Sequence, residues 1–296
     1  MSNLTTIGGL YSSTIIHQGQ VWHRDKTDNY QLIARAQLIQ VEGSEVKYVD
    51  IDVPPIRAMS VIWPNEFITQ SGQLIRIDFN GYYNTITMIT TLTEVIDVGA
   101  YGGTRLILLA NGEAYQFNDN TPILVATGIS HLVQSSLRGS MITNQDQLVY
   151  YPQPNNQVSL REGITDIKLI RIGVILLEGN RLIIINGRGA LIISQPSITI
   201  IDMYLDYYHY RYLLILTEAG RIEVVDGESG DIIPDGFPNI DGKVVKFVPG
   251  YGRGSIVNFL AIDKMGVMGL YSIGIITAYN VYHVDRLMVP PELLIN

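Results

Sequence analysis

The densest set of side chains able to bind a ligand lies between Tyr204 and Tyr212. This segment holds five tyrosines together with a histidine and an arginine. Tyrosine offers a large ring and a hydroxyl at low entropic cost, so such a run suits a contact surface. One hypothesis is a protein-binding or sugar-binding patch made by Tyr207, Tyr208, His209, Tyr210 and Arg211. The alternative is that these rings fill space between neighbouring repeats.

Other candidate ligand sites are weaker. The acidic, glycine-rich stretch 226–231 has carboxylates that could hold calcium, but the spacing of a calcium-binding helix–loop–helix is missing. A solvated connection between strands explains this stretch better. Among five scattered histidines, His17 and His23 flank one hairpin turn, yet no third ligand accompanies them. We therefore predict neither a metal site nor a cofactor.

Catalytic motifs are missing from the sequence. There is no nucleophile elbow, phosphate-binding loop or zinc-binding helix motif, and the glycines of 99–103 precede a strand rather than a helix. The chain has no cysteine, which excludes disulfides, thiolate zinc sites and thiol nucleophiles. The sequence predicts a protein that is not an enzyme.

Composition narrows the classes of partner. Of the 296 residues, 47% are hydrophobic and 16% charged, so a large core can form. The formal net charge is −8 and no basic run is present, which argues against binding to nucleic acid or an anionic membrane. Without a signal pattern or a membrane-spanning run, we expect an intracellular, cytoplasmic or virion location.

The elements that must position any site are β-hairpins. The same sequence pattern recurs seven times: an apolar stretch, a tight turn and a second apolar stretch. Asn111-Gly112 is the strongest turn signal, because a two-residue loop requires positive φ at its centre. The corresponding turns stand at Gly19, Gly72, Asp146, Gly179, Gly220 and Gly266.

A shorter apolar strand precedes each hairpin and a fourth run often follows it, and radial repetition of four-stranded sheets is typical of propellers. We predict an all-β fold: one seven-bladed β-propeller domain of antiparallel four-stranded sheets spanning 1–296. Its N- and C-terminal segments are expected to share a blade and close the ring. The predicted units lie near 7–50, 56–94, 95–128, 129–163, 164–197, 198–243 and 244–296.

One repeat, VIDVGAYGGTRLILLANGEAYQF from Val95 to Phe117, resembles repeats of the family named after the regulator of chromosome condensation. Gly99 and Thr104 match that family's corner, Asn111-Gly112 its turn, and Tyr115 and Phe117 its aromatic end. The family's histidine is replaced by Gly103. The resemblance implies a propeller; the family's guanine-nucleotide exchange activity is not carried over, because no exchange residue and no basic tail can be matched. Tachylectin-like and WD-like propellers remain alternatives.

The leading functional prediction is a non-enzymatic scaffold for protein–protein interaction, or a structural component that self-assembles. Usage rich in Ile, Tyr and Asn indicates an AT-rich genome, and the particle of a large DNA virus is one setting that we expect. Two alternatives stay open. The first is a carbohydrate-binding propeller with aromatic sites repeated in each blade. The second is a guanine-nucleotide exchange factor or another regulatory factor.

Overall fold

The structure is a computed structural model of the chain. The structure describes residues 4–7, 14–24, 29–60, 63, 65–79, 83–101, 104–118, 121–133, 139–145, 147–151, 157–159, 164–170, 173–178, 181–186, 191–194, 198–205, 212–226, 229–234, 236–237, 240–248, 255–277 and 280–287. They form strands and turns, and no helix among them is long and apolar enough to cross a membrane. The chain divides into two compact units, Met1–Val158 with Pro290–Asn296, and Ser159–Val289.

The described strands of the first unit form four sheets. Sheet 1 contains β1 (Leu4–Ile7), β2 (Thr14–His17), β3 (Gln20–Arg24) and β4 (Tyr30–Leu32). Sheet 2 contains β5 (Arg35–Glu42), β6 (Glu45–Asp52), β7 (Ile56–Met59), β8 (Glu66–Thr69), β9 (Leu74–Phe79) and β10 (Asn84–Met88). Sheet 3 contains β11 (Val95–Tyr101), β12 (Thr104–Leu109), β13 (Ala114–Asn118) and β14 (Thr121–Ala126). Sheet 4 contains β15 (Ile129–Val133), β16 (Gly139–Thr143), β17 (Gln147–Tyr151) and β18 (Gln157–Ser159).

The described strands of the second unit form three sheets, each with four strands in sequence order. Sheet 5 contains β19 (Ile164–Ile170), β20 (Gly173–Glu178), β21 (Arg181–Asn186) and β22 (Leu191–Ser194). Sheet 6 contains β23 (Ile200–Leu205), β24 (Tyr212–Thr217), β25 (Ile222–Asp226) and β26 (Ile232–Ile233). Sheet 7 contains β27 (Lys243–Val248), β28 (Ser255–Ile262), β29 (Met268–Thr277) and β30 (Asn280–Leu287).

Within each unit, consecutive sheets pack face to face through an apolar cluster. Between sheets 2 and 3, Ile68 and Leu74 meet Val95 and Val98. Equivalent clusters join sheets 1 and 2, 3 and 4, 5 and 6, and 6 and 7. Both faces of an inner sheet are therefore buried, which explains why many strands are apolar at successive positions rather than at alternating ones.

A β-bulge marks the strand that precedes the central hairpin of every sheet, which is β7 in sheet 2 and the first strand in the other sheets. In β11, for example, Val95 pairs with Leu109 while Asp97 pairs with Leu108, so Ile96 is the extra residue. A bulge adds local twist and bends the strand that carries it. The extra residues are Thr5, Arg57, Ile96, Ser130, Thr165, Ile201 and Val245.

The hairpin turns carry glycine where positive φ is needed, and most of the described ones use three residues, within the predicted length of two or three. In sheet 3 the loop is Ala110-Asn111-Gly112: Leu109 and Glu113 stay paired, and only Gly112 has positive φ, at 84°. Asn111 instead accepts a hydrogen bond from the Glu113 amide at 3.0 Å. A two-residue loop with two positive φ values does occur at Gln18-Gly19.

The other predicted turn glycines follow the longer pattern or lie beyond the described residues. In three of them, the glycine amide donates back to the residue three positions earlier, which closes a type I turn followed by a left-handed glycine. These are Gly72, Gly220 and Gly266, with φ of 78°, 78° and 80°. Gly179 and Asp146 lie outside the described residues.

Two expectations about the ends of the sheets were wrong. Among the described strands, the first and the last do not share a sheet: β1 pairs with β2, and β30 pairs with β29. Each of these two sheets already obtains four strands from one continuous stretch of chain, so neither needs a strand from the other terminus. The second sheet also has six strands rather than four, because residues 35–50, assigned to the first unit, contribute β5 and most of β6 to it.

Candidate functional site

The predicted aromatic patch, Tyr207, Tyr208, His209, Tyr210 and Arg211, lies outside the described residues. It therefore stays a prediction. The other sequence candidates have structural roles. His23 stacks on Phe79 with ring centres 3.8 Å apart, and its Nδ1 lies 3.0 Å from Thr14 Oγ1. Asp226 and Asp231 stand at the two ends of the connection between β25 and β26, where the Asp226 amide donates to the Asp231 carbonyl at 2.9 Å.

Metal-ligating side chains do not cluster in the part of the chain that the structure describes. No group of three or more His, Asp or Glu residues there could hold an ion. The described polar clusters have another use: they join one sheet to the next.

The first set of joining contacts uses an aspartate directly after the bulge. Asp202 Oδ1 accepts from the Met203 amide at 2.8 Å, and its Oδ2 accepts from the Phe247 amide of sheet 7 at 3.2 Å. Asp97 makes the same pair of contacts, to the amides of Val98 and of Leu132 in sheet 4. Each carboxylate thus ties the first strand of its own sheet to the first strand of the next.

Cations lie near both carboxylates. In sheet 4, His131 occupies the register position that Asp97 occupies in sheet 3, and its positive form would attract Asp97. Lys246 holds that position beside Asp202. Burial lowers the pKa of Lys246, and the charge of Asp202 opposes that change. In the sequence these residues are visible only as single polar positions within apolar strands. The strand register shows that they occupy equivalent positions in neighbouring sheets.

Asp97 provides a test of this arrangement through pH. Burial raises the pKa of Asp97 above 3.8, although the amides of Val98 and Leu132, then His131 and Arg57, oppose the rise. A raised pKa in the folded state means that Asp97 favours folding most when protonated, and that this contribution is lost as pH rises through the raised pKa. The wild-type free energy of unfolding, minus that of Asp97→Asn, should fall as the pH rises from about 3.8 to the raised pKa of Asp97, and should then level off.

Urea unfolding of both proteins at a series of pH values measures this difference. Asparagine cannot ionise, so the titration of every group that does not interact with Asp97 cancels in the subtraction. If the difference in unfolding free energy rose with pH instead, the two amide hydrogen bonds rather than burial would dominate the pKa of Asp97.

A second polar contact joins sheets 2 and 3. Both carboxylate oxygens of Glu66 accept from Arg105 Nε at 3.0 Å. The Glu66 side chain is only 2% exposed and that of Arg105 is 25% exposed. The guanidinium also lies 4.5 Å from the centre of the Trp63 ring, and Trp63 Nε1 donates to the Gly99 carbonyl at 3.4 Å. The cluster is internally satisfied, so we assign it to stability rather than ligand binding.

Within the described residues, the hairpin β5–β6, residues 35–52, on the outer edge of sheet 2, remains open to a ligand. Strand β5 runs parallel to β10, and β6 pairs with β5 alone among the described strands. Its outer face carries apolar side chains that remain in water: Val41 is 69% exposed, Val46 53% and Tyr48 59%. The opposite face is anchored, because Ala36, Leu38 and Ile51 pack into the cluster between sheets 1 and 2.

Sequence reasoning missed this hairpin as a separate element. The alternation in EVKYVDID indicates a strand, but exposure of one apolar face depends on where the strand lies in the sheet. Adjacent exposed apolar residues on a rigid support are a feature of interaction surfaces. The hairpin is the candidate functional site within the described residues.

Comparison with solved structures supports a propeller-like fold. The chain is similar to PorZ, described as an essential bacterial surface component of the type-IX secretion system of Porphyromonas gingivalis. The TM-score is 0.57 at 14% identity, over 98% of this chain and 38% of that one. It is also similar to BBS1N, solved in complex with ARL6DN. There the TM-score is 0.53 at 13% identity, over 94% of this chain and 95% of that one.

Identities this low establish the fold alone. No protein-family model matches the chain, and a search of curated proteins finds no relative. The resemblance to the regulator of chromosome condensation is therefore not confirmed as family membership. The fold and the sheet packing define the class: an all-β repeat protein with a β-propeller arrangement.

Proposed function

We propose that the chain is a non-enzymatic protein-interaction scaffold, and that the hairpin 35–52 is a docking element. The observation that carries this proposal is the combination of an anchored inner face with an apolar outer face left in water. Sheets joined by apolar clusters and by buried carboxylates form a rigid support, which limits the entropy lost when a partner binds. The complex of the similar BBS1N with ARL6DN agrees with such a use of the fold.

The finer proposal is that the seven sheets are the blades of one propeller. Recurrence of the bulge and of the turn glycine in the same places supports equivalent blades. Use as a building block of an assembly, such as the particle of a large DNA virus, is a further part of the proposal. It rests on the composition and on the exposed hairpin. The tyrosine-rich segment 204–212 would then be a second contact surface.

Affinity capture with purified protein tests the scaffold proposal. The triple variant Val41→Thr, Val46→Thr and Tyr48→Thr removes the exposed apolar side chains and leaves Ala36, Leu38 and Ile51 in the cluster between sheets 1 and 2. We expect the wild type to capture a stoichiometric protein that this triple variant does not. Binding of that protein should then be reproduced with purified components.

The control is a variant that keeps these three side chains and loses another exposed apolar side chain. Met265 is 86% exposed at the tip of a turn in sheet 7, and Met265→Ser should capture the same protein as the wild type. If the wild type captured no protein partner and did not self-associate, the scaffold proposal would be abandoned.

A further inference from the structure

Among the described strands, none pairs with the second edge of β6, and the register fixes which backbone groups lie along that edge. Gly43 and Ser44 form the two-residue turn of the hairpin, so Glu42 and Glu45 are its closing pair. The closing pair of such a hairpin exchanges both hydrogen bonds, and hydrogen-bonded pairs then alternate along the strands. The amide and carbonyl groups of the intervening β6 residues therefore point to the free edge. These residues are Val46, Tyr48, Asp50 and Asp52.

The side chains of those residues lie on the outer face. Val46 lies opposite Val41, and Tyr48 lies opposite Ile39, so the end of the hairpin near the turn is apolar. At the end of the hairpin far from the turn, Asp50 and Asp52 lie opposite Gln37 and Arg35. An added strand would meet an apolar half and an acidic half on the same face.

Charge selects the class of partner. Residues 35–52 contain four carboxylates and two cations, a formal charge of −2, within a chain of net charge −8. Lys47 is paired with Glu42, and Arg35 with Asp52 at 3.2 Å. Among the described residues, Asp50 accepts a hydrogen bond from Gln37 at 3.1 Å but has no cation. A second copy of this acidic edge would repel the first, whereas a cationic strand would not.

We propose that β6 binds an extended, cationic segment of a partner protein as an added seventh strand of sheet 2. The inference rests on the proposed scaffold function and specifies its mode. Main-chain hydrogen bonds to the free edge supply affinity, while Val46, Tyr48 and Asp50 select apolar and basic side chains at alternate positions. The eight-residue length of β6 is enough to receive a strand of ordinary length.

The test uses the full chain and a labelled peptide whose alternate residues, those that would share a face with Val46, Tyr48 and Asp50, are valine in one half and lysine in the other. Two peptides control for it: one in which glutamate replaces lysine, and one with the same side chains but with the amides of one edge N-methylated. Fluorescence anisotropy at low ionic strength should show the lysine peptide binding about tenfold more tightly than the glutamate peptide. The N-methylated peptide should bind no better than the glutamate peptide, because it cannot form the ladder.

Two variants locate the binding. Tyr48→Pro removes an outward amide without removing a bond to β5, and is expected to weaken binding about tenfold. Asp50→Lys keeps every backbone group and should reverse the preference toward the glutamate peptide. In amide hydrogen exchange, the lysine peptide should protect Val46, Tyr48 and Asp50.

The outcomes are separable from those of the scaffold proposal. Equal binding of the N-methylated peptide, protection confined to other strands, or no effect of Asp50→Lys would overturn strand addition. Association of the chain with itself through β6, seen by light scattering, would also overturn the choice of a cationic partner. If the captured protein still bound to Tyr48→Pro and Asp50→Lys as it does to the wild type, the scaffold would stand and this mode would fail.

Discussion

Replacing Gly72 with alanine is expected to lower the free energy of unfolding by about 3 kcal/mol. Gly72 has a φ of 78°, where an L side chain is strained. An added Cβ would also lie 2.7 Å from the Cα and 2.9 Å from the N of Glu94. Those atoms are backbone and cannot rotate away. The Gly72 carbonyl accepts from the Val95 amide at 2.9 Å, so a shift would also break a bond between sheets 2 and 3.

Gly128 is the matched control, because it lies in the same compact unit and has a φ of 68° with nothing within 4 Å of an added Cβ. Gly128→Ala should cost only the backbone strain, about 1 kcal/mol. Gly112→Ala should fall between the two, since its Cβ would meet the Ile129 carbonyl at 3.2 Å. Chemical denaturation followed by fluorescence gives the three values. Equal effects of Gly72→Ala and Gly128→Ala would show that the turn does not pack against the next sheet.

Removing the carboxylate of Glu66 should have a comparable effect. Glu66→Ala is expected to lower the free energy of unfolding by about 3 kcal/mol, because it leaves a mostly buried guanidinium without its anion. Partial exposure of Arg105 lets water recover some of the loss, which keeps the estimate at the lower end for buried pairs. Unfolding monitored by circular dichroism and by tryptophan fluorescence would measure it.

An exposed ion pair in the same sheet provides the control. Arg35 and Asp52 are 81% and 85% exposed, and Asp52→Ala should leave stability within experimental error. The double variant Glu66→Leu with Arg105→Leu should recover part of the loss, since no charge is then left unpaired. Recovery will be incomplete, because Arg105 also stacks on Trp63. A double variant less stable than Glu66→Ala would contradict this account.

The sequence determined the strands and most of their turns by local chemistry. Apolar runs of strand length around a glycine are enough to specify a hairpin, because positive φ at that position is costly for any other residue. Recurrence of this sequence pattern then predicted a repeat of sheets that pack on one another, which is typical of a β-propeller. Loop length was less well determined: Asn111-Gly112 indicated a two-residue loop, but the chain uses Ala110 as well.

Only the tertiary structure decided which distant residues meet. Glu66 and Arg105 are 39 residues apart, and Asp202 and Phe247 are 45 apart, so no local pattern could pair them. The sequence likewise did not determine which sheet residues 35–52 join, because an alternating hairpin can extend the sheet before it or the one after it. Packing of Ala36, Leu38 and Ile51 against sheets 1 and 2 selects the outer edge of sheet 2. That choice leaves Val41, Val46 and Tyr48 in water, where they form the candidate docking surface.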